Sequence, residues 1–409
     1  MVTCHHQPEW PGELLDVAAL RASGTRARPF RQFIVKIHSR CNLRCAYCYV
    51  YELADQGWRH RPRIMPPHIL QATVARIAEH VRAHQLRHVR VILHGGEPLL
   101  AGPAFIADLA AHVRGTLPPQ TTTDLLIQTN GTLLDEAMLD VVLGSGIRVG
   151  ISIDGGRAAT DRYRRYPGGG SSYGAVIRAL GLLRQDRYRA AYSGLLCVAS
   201  LQNDPVETYE ALLSHSPPMI DFLLPHGTWS SPPPGRSPDA ATPYADWLLE
   251  IFSRWATAPR QETSVRLFEA IIGLILGGPS TTETIGLEPA DSIVIETDGA
   301  IRQSDALSAA YEDAAATGLD VVRHPLDAAL DHPTTVARQM GLAGLSASCH
   351  DCHLRDICGG GFYPHRYRVG DGFRNPSVYC ADLMRLITVI RKYVVGEMAR
   401  LGETRQPLL

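Results

Sequence analysis

Between residues 33 and 255, short apolar segments alternate with longer helical patterns, and this alternation restricts the fold more than any other feature. The apolar segments are FIVKIH (33–38), VRVILHGG (89–96), DLLIQTNG (124–131), IRVGISIDGG (147–156), SGLLCVAS (193–200) and MIDFLLPHG (219–227). They are apolar on both faces and partly β-branched, as parallel strands covered by helices are. Amphipathic stretches such as 66–84 and 171–186 separate them. Six βα units in series predict an α/β fold, a partial (β/α)6 barrel of the TIM type. Its site should lie at the carboxyl ends of the strands. Residues able to do chemistry fall there: Cys41 follows the first segment, Gly95, Gly96, Glu97 and Pro98 end the second, Asn130 the third and Asp154 the fourth.

The stretch after the barrel is different in kind. A proline-rich loop (230–243) leads into a helical run, YADWLLEIFSRWA, which should close the barrel. Residues 265–278 read as a linking helix, 291–307 as a hairpin turning at Asp298-Gly299, and 381–401 as a final amphipathic helix. The expected organisation is an N-terminal extension (1–30), the barrel (31–264), a linker helix (265–284) and a small α+β domain with the last helix (285–409).

Composition narrows the partners. Forty basic and 41 acidic side chains leave a net charge of −1, which gives no general pull toward nucleic acid or an anionic membrane. No apolar run reaches the roughly 18 residues that span a bilayer. The first residues lack the basic start and apolar block of a secretory signal, so the expected compartment is the cytoplasm. Thiols there stay reduced, and seven of the nine cysteines fall in two clusters, the usual arrangement of metal or cluster ligands.

The first cluster, HSRCNLRCAYCYVYE, holds Cys41, Cys45 and Cys48 within eight residues. Three thiolates suit an iron–sulfur cluster with one iron open to a ligand, or a zinc knuckle completed by a remote residue. The second, CHDCHLRDICGGG followed by Cys380, offers Cys349, Cys352, Cys358 and Cys380. Four thiolates make a closed set, either a second cluster or a zinc ribbon. Cys197 lies in an apolar strand and reads as core. Cys4, His5 and His6 have no assigned role.

CxxxCxxC with an aromatic residue, Tyr47, before its third cysteine resembles the signature of radical S-adenosylmethionine (radical SAM) enzymes. HGGEP (94–98), QTNGTLL (128–134) and ISIDGG (151–156) resemble, in order, three further motifs of that superfamily. The resemblance implies that Cys41, Cys45 and Cys48 hold a 4Fe–4S cluster. It also implies that Tyr47, Gly95, Gly96, Glu97, Pro98, Asn130, Ser152 and Asp154 surround S-adenosylmethionine, with Glu97 on the methionine amine. Arg164, in ATDRYR, would pair with the cofactor carboxylate or stand as a solvated side chain. Related enzymes often have a histidine where this chain has Thr160.

The second cluster resembles a reduced SPASM or twitch-like extension. A full SPASM domain carries seven cysteines and two auxiliary clusters; here the hairpin has none and the position four after Cys358 is Phe362. One auxiliary 4Fe–4S cluster is implied, fully ligated by Cys349, Cys352, Cys358 and Cys380. The wording of 358–387, 296–307 and 222–229 resembles FxsB-type maturases, which form cyclophane crosslinks in ribosomally made precursor peptides. Thioether formation, epimerisation and sulfatase maturation are related alternatives, and a zinc-stabilised scaffold is the non-enzymatic one. The resemblance further implies a precursor peptide and a one-electron donor such as flavodoxin or ferredoxin as partners, and a base for the ring proton. Asp305, closing RQSD, is the candidate. His226 and Trp229, after the sixth segment, either line the substrate mouth or belong to an ordinary loop.

Overall fold

A computed structural model describes residues 15–235 and 242–403; Cys4, His5 and His6 lie outside the described residues. The six predicted strands are present as β1 (Gln32–His38), β2 (His88–Gly95), β3 (Thr122–Thr129), β4 (Ile147–Ser152), β5 (Tyr192–Val198) and β6 (Met219–Leu223). A short β7 (Ser264–Val265) extends the parallel series by one. On the other edge, β8 (Ser292–Ile295) pairs parallel with β1, and β9 (Ala300–Arg302) and β10 (Ala316–Asp320) follow antiparallel. The spatial order is β10-β9-β8-β1-β2-β3-β4-β5-β6-β7, a ten-stranded sheet that does not close on itself.

Helices join β1 through β6 in turn, the longer ones being α1 (Pro67–Ala83), α2 (Pro103–Thr116), α3 (Glu136–Gly144), α4 (Tyr173–Leu183) and α5 (Pro205–Leu213), with a short helix, Arg157–Tyr163, ahead of α4. Proline in the first turn starts α1, α2 and α5, where its missing N–H costs nothing. Asp135 and Asp204 cap α3 and α5 by accepting from Met138 and Glu207 N–H. In α1, Ile69, Val74, Ile77 and Val81 form one buried stripe, and they join Val35, Val89 and Val91 in the main core. Each covered strand therefore shows one face to helices and the other to the concave interior.

The hairpin forms as the sequence predicts, with Asp298 accepting from Ala300 N–H and Gly299 at φ +86°. Its position could not be read from the sequence. By pairing β8 with β1, it makes one sheet run across the boundary expected between barrel and C-terminal region. Beyond β6, α6 (Pro243–Ala256), α7 (Arg266–Ile275) and α8 (Cys380–Glu403) pack together, with Tyr393 edge-on to Phe252 at 5.3 Å. Asp382 accepts from the backbone N–H groups of both Tyr244 and Ala245, 2.9 Å each. A residue of α8 thus caps α6 across 138 positions.

Candidate active site

The loop after β1 carries Cys41, Cys45 and Cys48 over the concave face. It is held at both ends. Its start is gripped by the HGGEP turn: Gly96 N–H donates to His38 O at 2.9 Å and Glu97 N–H to Arg40 O at 3.0 Å. A Cβ on Gly96 would sit 1.8 Å from the Tyr51 hydroxyl and 2.5 Å from Arg40 backbone, so only glycine permits this approach. Further along, Arg44 and Cys45 pair antiparallel with Arg165 and Arg164. That two-residue ladder brings Arg164 under the loop.

The result is a cavity of about 190 Å³. The three loop cysteines line it together with Tyr47, Gly95, Gly96, Asn130, Ser152, Asp154 and Arg164. Ten of the predicted residues therefore meet at one wall. Tyr47 donates to Asp154 Oδ2 at 2.5 Å and accepts from Arg164 Nη1 at 2.9 Å. Burial pushes the Asp154 carboxyl up, and the Arg164 charge and Tyr47 hydroxyl partly offset this. Arg164 is 8 % exposed, which excludes the solvated reading of this side chain. Asn130 Nδ2 lies 2.9 Å from Asn42 Oδ1 and 3.6 Å from the Cys41 sulfur. Ser152 accepts from Gln128 Nε2 at 2.9 Å.

Glu97 and Pro98 are not on the cavity wall. The Glu97 side chain is fully buried and accepts from Thr129 Oγ1 (2.6 Å), Asn130 N–H (2.8 Å) and Leu99 N–H (3.0 Å). This carboxylate is turned inward, and its hydrogen-bond donors all come from its own chain. It fixes the ends of β2 and β3 relative to each other. Pro98 starts the short turn Pro98–Ala101 behind it.

Asp305 also lies off the cavity wall. Lys36 Nζ is 2.7 Å from its carboxylate and 2.9 Å from Glu296. Burial acts to raise the Asp305 pKa, but Lys36, His94 and Arg302 hold it below the usual carboxylate range. His94, a cavity residue close enough to act on Asp305, was not among the predicted site residues. His94 lies opposite Lys36 in the β1–β2 ladder, lines the cavity, and among the described residues its buried Nδ1 has no partner. Gln128 and Tyr49 were passed over as well. A signal existed for His94 and Gln128: a polar residue near the carboxyl end of an apolar strand, two positions from an interior-facing one. His226 lines the cavity beside Tyr49, with ring centroids 5.0 Å apart. Trp229 does not; its Nε1 donates to Pro376 O.

The second cysteine set surrounds the start of α8. Cys349 lies in the turn Ala347–His350, Cys358 ends the turn Arg355–Cys358, and Cys380 is the first residue of α8. Gly359 at φ +61° reverses the chain, and a Cβ there would strike Gly286 O at 1.7 Å. Arg366 ties the glycine run down by donating to Gly359 O and Gly361 O. Burial pushes the Cys358 thiol up to about 12, with Cys380 and Cys349 close enough to add to it. Cys352 packs at the edge of the main core with Cys358, and Cys197 is wholly buried in β5, as predicted.

A tetrahedral zinc with Zn–S bonds of about 2.3 Å needs its sulfurs roughly 3.8 Å apart. Among the described residues, no three cysteine sulfurs all lie within 4.8 Å of one another. Thiolate donors of this kind fit an iron–sulfur cluster, three of them leaving one iron open and four closing the set. No helix among the described residues is long and apolar enough to cross a membrane.

Comparisons with known proteins agree with this geometry. Residues 35–210 match the family described as the radical SAM superfamily. The serine-type anaerobic sulfatase-maturating enzyme of Klebsiella aerogenes is 24 % identical over 375 residues, covering 88 % of this chain and 87 % of that one. The structure described as native anSMEcpe with bound AdoMet and Cp18Cys peptide superposes with a TM-score of 0.74 at 21 % identity, over 90 % of this chain and 99 % of the other. Streptococcus suis SuiB bound to precursor peptide SuiA gives 0.57 at 14 %, over 89 % and 78 %. At those identities the two structures establish the shared fold alone. The matched segment contains the whole cysteine loop and the motifs at the strand ends, and it is these residues that carry the chain's likeness to the enzymes of the radical SAM superfamily.

Proposed function

We propose that this enzyme modifies a side chain in a peptide or protein segment, and that its product is a cyclophane in a ribosomally made precursor peptide. Cys41, Cys45 and Cys48 would hold a 4Fe–4S cluster with one open iron, and Tyr47, Gly95, Gly96, Asn130, Ser152, Asp154 and Arg164 would surround S-adenosylmethionine. When bound, the two supply a 5′-deoxyadenosyl radical after one-electron reduction by a donor such as flavodoxin or ferredoxin. Glu97 and Pro98 act by holding the HGGEP turn against the cysteine loop. Cys349, Cys352, Cys358 and Cys380 would hold one fully ligated auxiliary 4Fe–4S cluster, for electron transfer or support.

The observation that supports an aromatic substrate is the edge of the cavity formed by His226 and Tyr49, with Phe362 and His365 packed behind His226. Phe362 stands where a full SPASM set would place another cysteine. Its ring lies 6.1 Å from His226 and 5.2 Å from His365, and His226 meets Tyr49 at the cavity. Aromatic rings thus gather behind this edge of the cavity, an environment suited to an aromatic side chain. The peptide loses one β-hydrogen as an atom. The new bond then joins the β-carbon to a ring carbon, and the ring gives up one proton to a base and one electron to the auxiliary cluster that Cys349, Cys352, Cys358 and Cys380 would hold. Asp305 is the proposed proton acceptor, reached through His94, since burial behind Lys36 keeps it off the wall.

A second reading has support in the names of the relatives: oxidation of a serine or cysteine β-carbon, as in sulfatase maturation. Cyclophane formation and serine oxidation both remove two hydrogens. The test is anaerobic turnover of the reconstituted enzyme with S-adenosylmethionine, a reductant and short peptides encoded beside its gene. A product two hydrogens lighter that is inert to aldehyde reagents and fragments as a ring supports the cyclophane. An aldehyde-reactive product supports oxidation instead.

A further inference from the structure

We propose that His80, His84 and Asp327 form a binding site for one divalent transition-metal ion, of the zinc type, that uses none of the cysteines. Among the described residues they are the one group of three or more His, Cys, Asp or Glu side chains whose ligand atoms all lie within 4.8 Å of one another. His80 lies in the last turn of α1 and His84 caps that helix, so their spacing of four puts both on one face, with ring centroids 4.6 Å apart. Asp327 comes from the turn Leu326–Asp331, which follows β10.

Hydrogen bonding decides what sits between them. His80 Nε2 lies 3.2 Å from Phe30 O. A carbonyl oxygen only accepts, so Nε2 carries the hydrogen, and a neutral His80 presents a bare lone pair at Nδ1. That atom is in direct contact with the Asp327 carboxylate, which also only accepts. Two lone pairs facing each other call for a cation, either a proton on Nδ1 or, with the two atoms drawn apart to make room, a metal ion shared by them. A proton would make His80 an imidazolium, a charge that the completely buried ring would then have to carry. A metal ion meets the same need without charging the ring. His84 Nε2, at 3.2 and 3.1 Å from the two carboxylate oxygens, adds the third donor.

The surroundings match those of metal ligands. A ligating histidine usually donates its other N–H to a carbonyl, which fixes tautomer and ring direction. Phe30 does this through its carbonyl, and its ring stacks on His80 at 5.6 Å while Phe33 meets it edge-on at 5.9 Å. Asp327 is 41 % exposed and His84 29 %, so an ion and water can enter from that side. Two imidazoles and a carboxylate suit zinc, nickel, cobalt or iron(II), and with no sulfur donor they do not select soft metals. The ion would clip the first barrel helix to a segment 243 positions later.

The test uses the cluster-loaded enzyme, stripped of loosely held metal with a chelator and dialysed against zinc chloride. The expected result is one zinc per chain at unchanged iron content, with a rise in thermal midpoint on adding zinc. His84→Gln and Asp327→Asn change partly exposed side chains and should keep the fold. Each is expected to bind zinc at least tenfold more weakly and to lose the zinc-dependent rise. Absence of zinc binding in the unaltered enzyme would overturn the proposal. So would equal binding by the unaltered enzyme and both variants.

Discussion

Tyr47 reaches across 107 positions of sequence to donate its hydroxyl hydrogen to Asp154, at 2.5 Å. The same oxygen accepts from Arg164, so one residue of the cysteine loop joins the end of β4 to the two-residue ladder beneath the loop. Tyr47→Phe removes both bonds and leaves Asp154 and Arg164 buried with fewer partners. A hydrogen bond to a charged group is worth ~1.5–3 kcal/mol, a factor of about ten or more in affinity. The expected outcome is an S-adenosylmethionine dissociation constant raised about tenfold or more at normal iron content, read by equilibrium binding. Unchanged affinity would remove Tyr47 from the cofactor wall.

The two cysteine sets make separable predictions. Cys41→Ala, Cys45→Ala or Cys48→Ala should abolish 5′-deoxyadenosine formation, and iron in reconstituted protein should fall from about eight per chain to about four. Cys380→Ala should likewise cost about four irons while leaving some cleavage. Iron analysis together with chromatography of the nucleoside products checks both. Full cleavage in the Cys45→Ala variant would sink the assignment of the open cluster.

Which parts of this site were legible in the sequence follows from the range of the interactions involved. The strand ends were legible because the apolar segments and the motifs that terminate them are local, and Cys41, Asn130 and Asp154 sit where the pattern put them. Glu97 is visible in its motif only as a carboxylate, with no sign of the three donors that surround it, two of them from β3 and the residue after it. Lys36 was hidden in an apolar strand; its partners Glu296 and Asp305 lie on the far side of the hairpin's docking to β1. A long-range pairing of that kind leaves no periodicity to read. His80 and His84 had the right spacing for a shared face, but Asp327, which gives the pair a purpose, follows 243 positions later.

Gly96→Ala tests the grip of the HGGEP turn on the cysteine loop. Its Cβ would meet both a movable hydroxyl, that of Tyr51, and the fixed backbone of Arg40. Replacing Tyr51 by Phe as well would relieve only the first clash. The variant should lose several degrees of thermal stability and nearly all cofactor cleavage, and the double variant should recover little of either. Full rescue by Tyr51→Phe would show that the backbone contact is unimportant.

Asp305→Asn separates cofactor cleavage from completion of the product. Breaking a buried ion pair costs roughly 3–5 kcal/mol when a charge is left alone, but Lys36 keeps Glu296 at 2.9 Å. The loss of stability should therefore stay toward the low end of that range. The expected enzyme forms 5′-deoxyadenosine yet yields little finished peptide, as mass spectrometry of both would show. Normal product would end the proposed role of Asp305 as proton acceptor.

Acid should destabilise the fold through the cavity histidine. Burial lowers the pKa of His226 to about 4, from an ordinary value near 6.5 in the unfolded chain. Between those values the unfolded state binds a proton that the native state refuses. Stability attributable to His226 is thus fully present above about pH 6.5 and is lost as pH falls toward 4, by ~1.4 kcal/mol per unit and ~3 kcal/mol in all. His365, 5.6 Å away and also lowered by burial, acts in the same direction. Thermal midpoints at pH 7, 6 and 5 should therefore fall more steeply for the unaltered enzyme than for His226→Gln, which keeps a polar side chain but has no proton to gain. Equal slopes would mean that His226 is solvated or already paired in solution, and the aromatic wall built around its neutral ring would have to be abandoned.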